Sequence, residues 1–268
     1  MKLTHTLKLA AVALVLGFSS CSQDEEAVVE KASVSKETLA KIYEMGFGTT
    51  DVQAVEGGYL VEGDILLTEA QLNAKHDHKF LRVGETEQYR TTNLVNAGTG
   101  RNITLSIDPT LPATYVTALD AAIARFNAQG LLITMSRVAS GGNIYLQAAP
   151  KSAQYLASAG FPTAAGDPHN NIKIATRYIG TNPNQAWFTT ILAHEIGHCI
   201  GFRHTDYMDR SYSCGGSYTN EGASTVGAIH IPGTPTTADA TSWMLACIGS
   251  GQNRPFNSND VTALNYLY

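Results

Sequence analysis

The sequence predicts an α+β fold, and three observations carry that expectation. Short alternating segments, "NITLSID", "LLITMSRV", "NIYLQAA" and "NIKIATRYI", read as strands. An amphipathic helix, "PATYVTALDAAIARFNAQG", lies among them, with Pro112 near its start and Gly130 at its stop. Two more helices follow: the long "NPNQAWFTTILAHEIGHCIG" and the terminal "NSNDVTALNYLY". The 268 residues are 44 % hydrophobic and 15 % charged, an ordinary globular balance. A net charge of −5 without a Lys/Arg cluster excludes nucleic acid as a partner.

Residues 1–20 read as a targeting segment. Lys2 and Lys8 flank an apolar run from Leu9 to Phe18, too short for a bilayer span of ~20 apolar residues. "SSC" follows and resembles a bacterial lipobox, with Phe18 where leucine is more usual. That resemblance implies cleavage before Cys21, lipidation of its thiol and an anchor in the outer membrane. The acidic "SQDEE" after Cys21 resembles a signal for export of lipoproteins to the cell surface. Residues 21–34 are then a lipidated, flexible tether.

Residues 35–98 form an expected accessory or pro-segment, and residues 99–268 a catalytic domain. Ser35 caps a helix that carries Leu39, Ile42 and Tyr43 and stops at Gly46. "GGYLVEGDILLT" alternates as a strand around a central Gly63–Asp64, and "TEAQLNA" is a short helix. Residues 75–98 are polar and weakly patterned, as a linker would be, and His76 and His78 read as solvated. Residues 205–250 are rich in Gly, Ser and Thr, with little regular structure expected. A stretch that long inside a compact domain points to function. With Cys21 lipidated, Cys199, Cys214 and Cys247 allow one disulfide, and any of the three pairings is open.

"HEIGHCIGFRHTD", His194 to Asp206, carries the chemistry. His194 and His198 are one helical turn apart, so both imidazoles can reach one ion. Glu195 lies to the side, where a carboxylate can take a proton from a metal-activated water. Gly201 can end the helix in a left-handed conformation and bring His204 back as a third ligand. Three protein ligands leave one position open, as a catalytic Zn2+ requires.

The full H-E-x-x-H-x-x-G-x-x-H string resembles the metzincin clan of zinc peptidases. "AHEIGHCIGFRHTD" resembles in particular the dual-action HEIGH metallopeptidases, over roughly Asn102 to Tyr268. The resemblance implies a metzincin-like domain: a twisted, mixed five-stranded sheet, an active-site helix, a Met-turn and a C-terminal helix. It places Met244 of "TSWMLAC" in the Met-turn beneath the zinc. Some metzincins carry a tyrosine two residues later; here the residue is Ala246. Tyr207, Tyr212 and Tyr218 lie in the irregular region, where packing is the ordinary use of tyrosine. "LVEGDILLT" resembles a pro-segment element of astacin-like metzincins in which an aspartate closes the zinc site, which would make Asp64 a zymogen switch. A turn between two short strands is the simpler use of a Gly-Asp pair.

The expected protein is a monomeric, lipid-anchored zinc endopeptidase that cuts polypeptides with Glu195 as general base. An extended substrate would add to an edge strand near Ala157 to Ala165. His230 reads as loop packing and Asp260 as a helix cap. The alternative is a surface binding lipoprotein on the same scaffold, with little or very narrow proteolysis.

Overall fold

The computed structural model describes residues 34–45, 47–73, 88–221, 228–235 and 237–268. These belong to one compact unit. The signal segment, Cys21, the tether to residue 33, His76 and His78 lie outside the described residues.

The chain begins with α1 (Lys36–Glu44), whose Ser35 side chain accepts from Thr38 N as its cap. β1 (Gln53–Val55), β2 (Gly58–Val61) and β3 (Ile65–Thr68) then make an antiparallel three-stranded sheet. The segment around Gly63–Asp64 is not one strand but a hairpin, the turn between two short strands that the Gly-Asp pair also suggests, with Val61 paired to Ile65. Glu62 (φ 55°) and Gly63 (φ 93°) both adopt left-handed backbone, the conformation that tight hairpin turns demand. Thr68 caps α2 (Glu69–Leu72) with a reciprocal capping box to Gln71. Ile42, Met45, Phe47, Val61, Ile65, Leu67 and Leu72 bury one another around Phe161 from the later chain.

Residues 88–98 are built into the fold, unlike the linker that their polarity suggests. β4 (Tyr89–Arg90) pairs with a strand near residue 230, Gln88 is fully buried, and Val95 joins the main core. β5 (Arg101–Ile107), α3 (Ala113–Asn127), β6 (Ile133–Arg137), β7 (Ile144–Ala148), β8 (Ala157–Ser158) and β9 (Asn171–Ile174) follow. The five strands form one mixed sheet in the order β6-β5-β7-β9-β8, parallel except for β8 at the edge. α3 buries Tyr115, Ala118, Leu119, Ala122, Ile123 and Phe126, the i, i+3, i+4 stripe that its sequence shows.

After the short α4 (Thr176–Ile179), Asn184 caps α5 (Gln185–Ile200) by accepting from Trp187 N at 3.1 Å. α5 is buried on every side from Trp187 to Ile200, packing on α3 with the Tyr115 and Phe188 rings 4.5 Å apart. Residues 205–250 contain only α6 (Ser211–Cys214) and β10 (Ile229–His230) among the described elements. Cys214 and Cys247 are disulfide-bonded across this region, and Cys199 is a free, buried thiol. α7 (Ser258–Leu267) closes the chain under an Asn257–Asp260 capping box.

Asp260 does more than cap. Its carboxylate accepts from Gln88 Nε2 (2.6 Å), Ser242 Oγ (3.0 Å), Asn257 N (2.9 Å) and Trp243 N (3.3 Å). Burial pushes its pKa up to about 7, against those four donors. The Trp243 ring is locked among Phe126, Phe202 and Phe256, at centroid distances of 5.5, 5.3 and 4.7 Å.

Gly197 shows which force governs this core. A Cβ there would lie 2.6 Å from the Trp243 ring and 2.7 Å from Met244 Sδ. Helix propensity favours alanine over glycine by ~1 kcal/mol. Overpacking a fixed aromatic ring costs ~1–3 kcal/mol. Gly197→Ala should therefore be net destabilising, by up to ~2 kcal/mol, read as a lowered urea midpoint at unchanged slope.

Candidate metal centre

α5 places His194 and His198 one turn apart, and Gly201 (φ 113°) ends the helix in the left-handed region. A side chain at Gly201 would also strike Leu94 Cδ2 at 2.7 Å and Asn93 O at 3.0 Å. The chain reverses there and is pinned to residues 88–91: Thr91 N donates to Gly201 O, and Arg203 N to Tyr89 O. His204 thereby returns to the helix. The Nε2 of His198 lies 3.0 Å from that of His194 and 3.2 Å from that of His204.

The other ring nitrogens explain this approach. His194 Nδ1 lies 3.0 Å from Trp243 O and His198 Nδ1 2.9 Å from Phe202 O. A carbonyl only accepts, so both Nδ1 atoms carry the proton. His204 Nδ1 lies 3.1 and 3.2 Å from the two oxygens of Glu221 and donates to that carboxylate. With the Nδ1 atoms so engaged, the three Nε2 atoms face one point, the arrangement in which all three can give a lone pair to one ion. A tetrahedral zinc with bonds of ~2.0–2.1 Å needs ligand atoms roughly 3.3 Å apart, so the donor set and spacing fit the ion.

The fourth corner belongs to Asp64. Its Oδ2 is 3.2 Å from His204 Nε2 and 3.5 Å from His194 Nε2. All four ligand atoms lie within 4.8 Å of one another. The imidazoles hold the Asp64 carboxyl well below its usual range, overcoming its burial. Gly63–Asp64 is thus both the hairpin turn and part of the histidine cluster. The hairpin lies on the sheet edge: Ala159 N donates to Asp64 O (3.0 Å) and Leu66 N to Ala159 O (2.7 Å), a parallel bridge of Ile65 with Ala159. This is the edge where sequence placed an extended substrate.

Glu195 shares the cleft with His194 and Asp64 and is 3 % exposed. Its Oε2 has no hydrogen-bond partner among the described residues. Burial, then the charge of Asp64, push its carboxyl well above the usual range. Met244 is fully buried, its carbonyl accepts from Thr205 N, and its sulfur lies against Gly197. The carbonyl of the adjacent Trp243 orients His194. Tyr207 packs on Tyr89, Tyr212 donates to Ala238 O and Tyr218 is exposed. His230 bonds Thr234 within its own loop.

Sequence reading missed the carboxylates and cations behind the site. Glu221 orients His204 and pairs with Arg210 Nε at 3.0 Å. Glu62 binds the fully buried Arg203 at 3.0 Å, and Arg203 lies over the Phe47 and Tyr207 rings. Burial and the neighbouring Glu221 push the Glu62 carboxyl up, while Arg203 opposes them. Tyr155, beside the cleft, feels the charge of Glu195. Only the position of Arg203 within the motif was a signal; Glu221 sits in a Gly/Ser/Thr-rich stretch that marks no partner.

Carboxylate partners of metal-binding histidines are worth ~10–100-fold in affinity. Glu221→Ala should weaken zinc binding by that factor, measured by competition with a chromophoric chelator, while the far-UV circular dichroism stays unchanged.

No curated protein matches this chain. Two solved structures of myroilysin are similar to it, each with a TM-score of 0.40 and 14 % identity, over 64 % of this chain and 81 % and 84 % of theirs. The family model for the dual-action HEIGH metallo-peptidases matches residues 59–268, which contain the hairpin, the sheet and all four converging side chains. The chain belongs to that family of metallopeptidases.

Proposed function

We propose that this protein is a zinc endopeptidase that is made latent and is anchored through Cys21 to the outer membrane. One observation carries the hydrolytic reading: three Nε2 lone pairs converge beside a buried carboxylate oxygen, Glu195 Oε2, that has no partner among the described residues. His194, His198 and His204 would hold the zinc, with Met244 packed below them. When bound, the ion polarises the scissile carbonyl and acidifies water. Glu195 takes a proton from the attacking water and returns it to the leaving nitrogen, so that a C–O bond forms and the C–N bond breaks. The lipobox-like "SSC" supports the anchor, and the acidic "SQDEE" supports display at the cell surface.

Asp64 is the latency element in this reading. Its Oδ2 takes the corner that water needs, and its main chain takes the sheet edge that a substrate strand needs. The buried Glu62–Arg203 pair and the Phe47–Phe161 stack, with centroids 6.1 Å apart, hold the hairpin there.

Two measurements test this. Zinc-loaded chain beginning at Ser22 should cleave a mixed quenched-peptide pool, and Glu195→Gln should lower the rate by ~10²–10⁴-fold with zinc content unchanged. Retained cleavage in that variant would remove Glu195 from the mechanism. Asp64→Ala should raise the wild-type rate at least about tenfold. An unaltered rate, with cleavage present in both, would leave Asp64 a turn residue alone.

A further inference from the structure

A cavity of about 270 Å³ opens beside His194 and Glu195. Thr190 and Ile191 of α5 form one wall, and Leu245 to Ile248 form the other. Two arginines, Arg210 and Arg254, belong to its lining, and their partners differ. Arg210 is paired, with its Nε 3.0 Å from Glu221 Oε1. Arg254 donates to Cys247 O at 2.8 Å and Gln252 Oε1 at 3.4 Å, both neutral acceptors. No carboxylate among the described residues lies within ion-pair distance of Arg254. It is half-buried, and that burial lowers its pKa, the signature of a cation short of compensation.

The surroundings do not neutralise it. Asp206 is felt by Arg254, but it is buried and engaged by Ser213 Oγ and Ala246 N. Arg125 stands behind the same wall, donating to Thr190 Oγ1 (3.1 Å), Arg254 O (3.4 Å) and Asn253 Oδ1 (2.7 Å), again neutral acceptors. The acidic groups of the cleft, Asp64 and Glu195, are those committed to the metal side.

We propose that Arg254 is a specificity residue, and that the substrate is a polypeptide with an aspartate or glutamate flanking the scissile bond. The acidic side chain enters between Thr190–Ile191 and Leu245–Ile248. A guanidinium can bind a carboxylate through two parallel hydrogen bonds, and the low-polarity walls strengthen that pairing. This rests on the peptidase reading above and adds the substrate class to it. A large apolar side chain would also fit the volume, and it is the competitor that the test must separate.

The test uses the chain from Ser22 with Asp64→Ala, loaded with zinc, and quenched peptides that differ only in Glu, Gln, Leu or Lys on either side of the scissile bond. At one of the two positions Glu should exceed Gln roughly tenfold in kcat/KM, mostly through KM, and Lys should be the poorest. The Glu/Gln ratio should fall as salt is added. Arg254→Gln should bring the ratio near one and Arg254→Lys should keep part of it; a ratio within one variant does not depend on its folded fraction. Fluorescence anisotropy of labelled peptides on the Glu195→Gln, Asp64→Ala chain should show the same order without turnover. Preference for Leu over Glu, or a Glu/Gln ratio that survives Arg254→Gln, would overturn the assignment while leaving the peptidase intact. Failure to cut any peptide would sink the peptidase reading, and the assignment with it.

Discussion

The site depends on where three imidazole protons go. Trp243 O, Phe202 O and the Glu221 carboxylate each take an Nδ1 proton, so the Nε2 lone pairs must face one another 3.0–3.2 Å apart. Such an arrangement suits one cation shared by all three rings. Each acceptor comes from a different piece of chain: the turn around Met244, the reversal after Gly201 and the irregular stretch before residue 222. Correct folding of all three is therefore a precondition for the metal centre.

Much of the remaining fold can be traced back to those acceptors. The Trp243 carbonyl is held by its ring, wedged among three phenylalanines, and by its N–H on Asp260. Gly197 lets that ring and Met244 approach α5 more closely than any side chain would permit. The Phe202 carbonyl is fixed because residues 88–91 clasp both sides of the helix reversal. Gln88 then bonds Asp260, so the clasp and the turn share one buried carboxylate. The disulfide between Cys214 and Cys247 ties the remaining wall of the cleft across the irregular region.

What could be read from sequence was what repeats or sits locally. The 3.6-residue stripe of α3, the one-turn spacing of His194 and His198 and the glycine stop at Gly201 are periodic or local signals, and each led to the element found. The signals failed where a residue's role comes from distant chain. Gln88 looks like linker polarity, yet it is buried because its partners, Asp260 and Ser242, lie more than 150 residues later. Glu221 has no neighbour in sequence that marks it as a partner of His204. The single strand read around Gly63 failed differently: alternation looks the same on both arms of a hairpin, and only backbone sign at Glu62 and Gly63 separates the arms.

That hairpin turn also removes an apparent choice. A Gly-Asp pair can be turn chemistry or a ligand, and here the turn itself brings the Asp64 carboxylate to the three histidines. Glu62 sits at φ 55°, an unfavourable place for a side chain with a Cβ. It is held there because its carboxylate binds Arg203, one residue before His204. Breaking a buried pair of this kind by losing one partner costs ~3–5 kcal/mol, so the turn is anchored from the motif itself. The same anchor delivers the next-but-one residue, Asp64, to the metal corner, and its backbone to the edge of β8. In the latent state proposed above, the strained turn, the ion pair and the occupied corner would act as one device. Release of the hairpin, in that proposal, would take the partner from Arg203, the neighbour from the sheet edge and the carboxylate from the histidines together.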